Sequence, residues 1–231
     1  MEKVIELINV TKIYKSRSTE YIALRDINLE IEKGEFVAIV GPSGSGKTTL
    51  LNIIGLLDSP TYGKVILEGK DVTMLNDNEK AKLRNKKIGF IFQTYNLISY
   101  LTVYENVELP LIISGVPEGE RRKIVMNTLS KIPGLLDLKN KKPNQLSAGQ
   151  QQRVAIARAL VMNPSIILAD EPTANLDTKN GQAIISLFRE INDKMGVTII
   201  MATHDPEMLK YCKRIIRIRD GVIEKEEKII K

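Results

Sequence analysis

The 231-residue sequence has no tryptophan, one histidine and one cysteine. With Cys212 alone, an intrachain disulfide is excluded, and a reducing, cytoplasmic compartment is expected. His204 stands without any Cys/His cluster, so no zinc-type ligand set can be assembled. No run of about 18 apolar residues occurs, so no membrane-spanning helix is expected. Met1-Glu2-Lys3-Val4 leads straight into a strand-like pattern and lacks the basic-then-apolar shape of a signal peptide. Repeats and low-complexity segments are missing too. The net charge of +6 comes from interspersed acids and bases and does not argue for a nucleic-acid partner. What is there is 43% hydrophobic and 27% charged residues, enough apolar material for one large α/β domain, or a domain with a subdomain.

Short apolar runs alternate with helical spacing. Val4 to Val10 reads as a strand, and Ile22 to Ile31 has the period-2 pattern of a half-exposed antiparallel strand. Phe36 to Val40 is an unbroken apolar run, as a buried parallel strand requires. A helix is expected from Lys47 to Leu57, and short strands at Lys64 to Leu67 and Ile88 to Phe92. From Leu101 to Met162 the pattern is helical and more polar, punctuated by Pro110, Pro117, Pro133-Gly134 and Pro143. Strands return at Ile166 to Ala169 and Val197 to Ala202, with a helix from Asn180 to Lys194 between them. Ile215 to Arg219 and Val222 to Lys225 flank the hairpin signal Asp220-Gly221. The charged tail, Glu224 to Lys231, is expected to fray. This is an α/β core, residues 1–93 and 163–231, interrupted by a helical insert over 94–162.

Between a buried strand and a helix lies Gly41-Pro42-Ser43-Gly44-Ser45-Gly46-Lys47-Thr48, a full G-x-x-x-x-G-K-[ST] match, followed by Thr49. Glycines let successive backbone N–H groups turn toward one anion, and the helix N-terminus adds positive potential there. Lys47 supplies a charge for the β- and γ-phosphates, and the Thr48 hydroxyl a ligand for Mg²⁺. A glycine-rich turn with a stray lysine would lack this strand–helix context. The motif specifies a nucleoside triphosphate and no more.

A second feature is Ile166-Ile167-Leu168-Ala169-Asp170-Glu171, an apolar strand ending in two acids. The carboxyl end of a parallel strand is where such sheets bind ligands. Asp170 is placed to hold Mg²⁺, and Glu171 to orient or deprotonate an attacking water. The alternative is an acidic turn leading into Pro172.

Leu146-Ser147-Ala148-Gly149-Gln150 opens a third. Ser147 and Gln150 have capping-box spacing, so a helix starts here. A well-capped helix is common, but Leu-Ser-Ala-Gly-Gln upstream of the Asp170-Glu171 strand resembles the signature motif of the ABC ATPases. The resemblance covers essentially the whole chain and implies the ABC fold: an α/β P-loop NTPase with an antiparallel β edge, a RecA-like core and a helical insert.

The resemblance also assigns roles. Tyr14 matches the aromatic that stacks on adenine; otherwise it is a packed edge aromatic. Gln93 matches the Q-loop glutamine, a Mg²⁺ ligand and γ-phosphate sensor, where a lone strand-end glutamine would simply be solvated. Asn175-Leu176-Asp177 resembles the D-loop, and Asp177 also suits a helix cap. His204, after a core strand, matches the switch histidine; a structural histidine is the plainer alternative. Glu171, His204, Lys47 and Gln93 are the implied catalytic group. Ser147, Gly149 and Gln150 are implied contacts to ATP. Ala148 departs from the family, where glycine is usual; a methyl at a helix start is well tolerated.

Asn96-Leu97-Ile98, Leu101 to Val107, Pro110-Leu111 and Gln150 to Arg153 resemble the branch of lipoprotein-release and macrolide-export ATPases (LolD/MacB type), with FtsE-like regulators nearby. This implies an ATPase subunit of a membrane export or extraction complex, or alternatively an FtsE-like coupling module that regulates a membrane protein without transport. Chromosome-type ABC proteins carry coiled-coil or zinc insertions, and translation-factor types carry two such domains; neither is visible. The implied cofactors are ATP and Mg²⁺. The implied partners are a second copy, in an ATP-sandwich dimer, and an integral membrane permease at the cytoplasmic face. Tyr95, Leu97, Ile98, Tyr100 and Leu101, in the segment Thr94 to Glu108, suggest the docking loop, or else a small satellite core.

Overall fold

The computed structural model describes residues 2–16 and 19–229. A six-stranded sheet forms its centre. The strands are β3 (Phe36–Val40), β6 (Ile88–Ile91), β7 (Ile166–Asp170), β8 (Thr198–Ala202), β9 (Arg214–Arg219) and β10 (Val222–Lys228), in the order β10-β9-β3-β8-β7-β6. The strands pair in parallel except for the β9–β10 hairpin. β3 and β8 are buried at every position, which is why they read as unbroken apolar runs. The two faces of β3 are divided. Val37 and Ile39 join a core with Leu50 and Ile53 of α1 (Lys47–Ile54). Phe36, Ala38 and Val40 join another with Phe188 of α6 (Thr178–Met195) and the helical insert, as side-chain alternation along a strand demands.

A second, antiparallel sheet has the order β2-β1-β4-β5, from β1 (Lys3–Lys15), β2 (Glu20–Glu32), β4 (Tyr62–Leu67) and the short β5 (Lys70–Asp71). Its inner side chains, among them Ile5, Leu29 and Val65, close over α1. The alternation in β2 is reset at Asp26, whose φ of 46° marks an irregularity between Ala23-Leu24 and the buried Ile27, Leu29 and Ile31.

Three expectations from the sequence need correction, and one helix was not expected. The helix after the glycine-rich loop stops at Ile54: a β-carbon at Gly55 would stand 2.6 Å from the Phe90 ring, and Leu56 then takes a φ of 56°. Pro110 does not punctuate; it lies inside α3 (Val103–Ile113). That helix is fixed by a Thr102–Glu105 capping box and buries Val103, Val107 and Leu111 on one face. Together these outweigh the roughly 3 kcal/mol that an interior proline costs. The charged tail does not fray over 224–228. It forms the end of β10, with Glu226 paired to Arg214 and Glu227 to Arg217 at 2.9 Å. Residues 230 and 231 lie outside the described residues. Finally, α2 (Asp77–Lys87) was not anticipated, because it is polar nearly all round, with Lys80 its buried residue. Its sequence signal was Asn76…Glu79, which forms a complete capping box.

The insert contains α3, α4 (Glu118–Lys131) and α5 (Ala148–Leu160), which share one core through Val107, Leu129 and Val154. The proposed docking run divides. Leu97 packs on that core, Tyr95, Ile98 and Leu101 are half-buried, and Tyr100 is 72% exposed.

Candidate functional site

Strands β3, β7 and β8 end on the same edge of the parallel sheet, and each is followed by a residue group singled out in the sequence. They bound a cavity of about 640 Å³ lined by Gly41 to Gly44, Gly46 to Thr49, Tyr21, Gln93, Asp170, Glu171 and His204. The loop from Gly41 leads into α1 through Gly46, whose φ is 105° and where a β-carbon would stand 2.7 Å from the Ala23 carbonyl oxygen. Only glycine allows this approach. No side chain caps α1, and no acid lies in its first turn, so its free N–H groups and positive end remain available to an anion. Ser45 sits beneath the loop, its hydroxyl buried without a partner. Lys47 Nζ donates to the Gly41 and Pro42 carbonyls at 2.9 and 3.0 Å.

Thr48 Oγ1 donates to Asp170 Oδ2 at 2.9 Å. Burial, and then the neighbouring Glu171, raise the Asp170 pKa against the opposing Thr48 hydrogen bond and the Lys47 charge. Glu171 has a φ of 47°, and its N–H donates to the Ala202 carbonyl at 2.9 Å. A non-glycine residue in this region is a local strain, held here by the neighbouring strand end. Its Oε2 lies 2.9 Å from His204 Nδ1, while the histidine side chain is 73% exposed. That exposure argues against a core histidine. The Gln93 carbonyl accepts from Asn175 Nδ2 at 2.9 Å, and Arg158 holds the next residues by donating to the Tyr95 and Asn96 carbonyls at 2.8 and 2.6 Å.

Other sequence-selected residues do not line this cavity. Tyr14 donates through its hydroxyl to Asp58 Oδ2 at 2.8 Å, and Lys12 Nζ lies 4.9 Å from its ring centroid. Tyr21, its cross-strand partner, lines the cavity instead and donates to the Gly44 carbonyl at 3.1 Å. Tyr21 was missed because nothing in its sequence context marks it; only the register β1–β2 brings it to the loop. Ser147, Gly149 and Gln150 form the start of α5. The capping box is complete: Ser147 Oγ accepts from the Gln150 N–H at 3.3 Å, and Gln150 Oε1 from the Ser147 N–H at 2.9 Å. Ser147 and Ala148 are exposed and Gly149 is buried. Asp177 caps α6, accepting from the Asn180 N–H at 2.9 Å.

Of the α-helices among the described residues, α1 and α5 are the two that begin with no carboxylate at the cap or in the first turn. Both helix starts thus remain electropositive, and they lie in different places.

Comparison with known proteins agrees with this geometry. The ABC transporter family matches residues 24–174. The chain is 54% identical over 224 residues to an uncharacterized ABC transporter ATP-binding protein of Thermotoga maritima, covering 97% of this chain and 95% of that one. It is 47% identical over 224 residues to the macrolide export ATP-binding/permease protein MacB of Syntrophobacter fumaroxidans, covering 96% of this chain but 31% of that longer protein. The dimeric post-hydrolysis structure of the ATP-binding cassette MJ0796, bound to ADP and phosphate, superposes with a TM-score of 0.90 at 50% identity, covering 98% of this chain and 99% of the other; MJ0796 comes from Methanocaldococcus jannaschii. This chain therefore belongs to the ABC transporter family, as an ATP-binding and ATP-hydrolysing cassette with the ABC fold.

Proposed function

We propose that the chain is the ATPase subunit of a membrane export or extraction complex, acting as a head-to-tail dimer around two MgATP molecules. The observation that carries the dimer is the separation of the two acid-free helix starts. One cavity gathers the α1 start, Asp170, Glu171 and His204 but none of Ser147, Gly149 and Gln150. A second copy related by two-fold symmetry would bring its α5 start to that cavity, making two equivalent composite sites. The two-copy MJ0796 structure supports this arrangement.

At each site Lys47 exchanges two neutral carbonyl acceptors for β- and γ-phosphate oxygens, a stronger, charge-assisted pairing. Thr48 and Asp170, already within hydrogen-bond reach, together with Gln93, offer the hard oxygen donors that suit Mg²⁺. The ion, when bound, neutralises charge on the β- and γ-phosphates. Glu171 accepts a proton from the attacking water as its oxygen bonds to the γ-phosphorus and the bond to the β–γ bridging oxygen breaks. His204, anchored on Glu171, contacts the γ-phosphate. Tyr14 packs near the adenine. Asp177 reaches toward the other subunit. Loss of phosphate removes the charge match and opens the dimer.

The domain divides functionally at Gln93, with the helical insert over 94–162 as the output. Beside that loop a cleft of about 480 Å³ is lined by Leu57, Phe90, Phe92, Ile113, Arg158 and Met162, among others. We assign it to a permease segment. No helix of the described residues is long and apolar enough to cross a membrane, so placement at the cytoplasmic face follows from that partner. Similarity to macrolide-export and bacitracin-export ATP-binding proteins supports an export role. The test is purification of the tagged chain from native membranes. Recovery of an integral membrane protein that raises its ATPase rate is expected, and its identity separates transport from regulation. Recovery of the chain alone, fully active and unresponsive to membranes, overturns the assignment.

A further inference from the structure

The two half-sites of one chain are physically connected through α6. The connection begins at Gln93, whose carbonyl accepts from Asn175 Nδ2 at 2.9 Å. Two residues later Asp177 caps α6, taking the Asn180 N–H at 2.9 Å on Oδ1 and the Asn180 Nδ2 at 2.7 Å on Oδ2. A carboxylate only accepts, so the amide nitrogen of Asn180 must face Asp177 and its oxygen must face away. That oxygen meets the start of α5: a β-carbon at Gly149 would stand 2.7 Å from Asn180 Oδ1. Gly149 is buried by this contact, and its neighbours Ser147 and Ala148 remain exposed.

The electrostatics favour the arrangement. The end of α5 carries no carboxylate of its own, so it presents uncompensated positive potential. The amide of Asn180 lies with its negative end toward α5 and its positive end toward the Asp177 carboxylate. A longer or charged side chain cannot do both. The Asp177 carboxylate is held by the local helix turn, whereas the three atoms nearest a β-carbon at Gly149 all belong to the Asn180 side chain.

We propose that Asn180 is a positioning residue that sets the start of α5 relative to the Asn175–Asp177 loop, and so fixes the half-site that this chain presents to the nucleotide of a second copy. The role rests on the sandwich dimer. A change at Gln93 then reaches the opposite half-site of the same chain through the Asn175 side chain, the backbone from 175 to 177, and the side chains of Asp177 and Asn180. Asn180 touches neither the phosphate loop nor the catalytic pair of its own chain, so its loss leaves nucleotide binding by one subunit intact and weakens the closed pair.

The experiment uses the full chain carrying Glu171→Gln, with and without Asn180→Ala or Asn180→Asp. MgATP affinity is titrated at a protein concentration where each variant is monomeric, and dimerisation is followed by light scattering at saturating MgATP. Asn180→Asp keeps the volume but sets a second carboxylate against Asp177, so it breaks the bridge without opening a cavity. Expected is an unchanged nucleotide affinity, with dimerisation of both double variants shifted to about 10-fold higher protein concentration or more, as loss of a charge-assisted hydrogen bond implies. On the Glu171 background, kcat falls while KM for ATP stays the same. Dimerisation equal to the Glu171→Gln parent overturns the role of Asn180 and leaves the dimer standing. So does a defect in Asn180→Ala that Asn180→Asp lacks, because packing volume alone would then explain it. A parent that stays monomeric in MgATP overturns the sandwich and the positioning role with it.

Discussion

Helices α1 and α5 both begin beside a glycine with no carboxylate at the cap or in the first turn, but they are finished differently. α1 has no side-chain cap, and its first turn opens into a cavity with Lys47, Asp170, Glu171 and His204 around it. α5 is closed by the Ser147–Gln150 capping box, stands exposed at Ser147 and Ala148, and has no titratable group in its first turn. An uncapped start leaves donors unsatisfied until an anion arrives, so it is a site that chemistry completes. A capped start is stable by itself and offers its remaining N–H groups and one hydroxyl as a rigid surface. On the proposed sandwich reading, one chain carries an incomplete catalytic half and a finished contact half.

The largest expected effect comes from the catalytic half. Glu171→Gln keeps the side-chain shape but removes the base, so turnover should fall by about 10²–10⁴-fold while MgATP still binds. Dimer should accumulate with MgATP, seen by size-exclusion light scattering. Normal turnover by this variant would remove Glu171 from the chemistry and with it the distinction between the halves. Lys47→Ala comes next. It removes a charged partner of the phosphates, and ATP affinity should drop by about 10–150-fold in a nucleotide titration. Wild-type affinity would mean that backbone N–H groups alone hold the phosphates.

How much of this could be read from the sequence follows from what each element depends on. β3, β7 and β8 were legible because parallel strands buried on both faces read as plain apolar runs, and the loops at their ends carry the site. The start of α5 was legible because a capping box is local: Ser147 and Gln150 are three residues apart and bond each other. Pro110 was misread because its effect is set by what α3 buries elsewhere. Tyr21 could not be found, since its place beside Gly44 depends on β1–β2 pairing with irregular register. For the same reason Asn180 reads as an ordinary first-turn residue, while its contact with Gly149 is a tertiary fact.

The contact half is tested by Ser147→Arg. A bulky cation at the exposed start of α5 also removes the Ser147 cap, so stability should fall by about 0.5–2 kcal/mol without unfolding the chain, while turnover per folded molecule drops by about 10-fold or more, the cost of overpacking a close interface. Mixing it with Lys47→Ala sharpens the test. In the mixed dimer one composite site carries both lesions and the other neither, so some activity should return, reduced by any coupling between sites. Ser147→Arg that forms MgATP-dependent dimers and turns over normally would show that α5 does not belong to the site.

The smallest effect should come from Ala148, where this chain departs from the glycine usual in its family. Ala148 is exposed at the first position of α5, while Gly149 beside it is buried against Asn180. The two adjacent small residues therefore have different reasons to be small. At Gly149 the space is already taken within the chain, so a methyl would meet the Asn180 side chain. Ala148 is exposed, so on the proposed dimer a limit on its size would come from a second copy. Ala148→Gly should cost less than about 1 kcal/mol of helix stability, shifting the thermal midpoint by a few degrees at most. Turnover should stay within about 2-fold of wild type. Ala148→Leu is then the informative variant: it should leave the isolated chain as stable as wild type, yet weaken MgATP-dependent dimerisation in the Glu171→Gln background. If Ala148→Leu dimerises as readily as its parent, the exposed side of the α5 start is not covered by a second copy, and the contact half must be sought on another face of the chain.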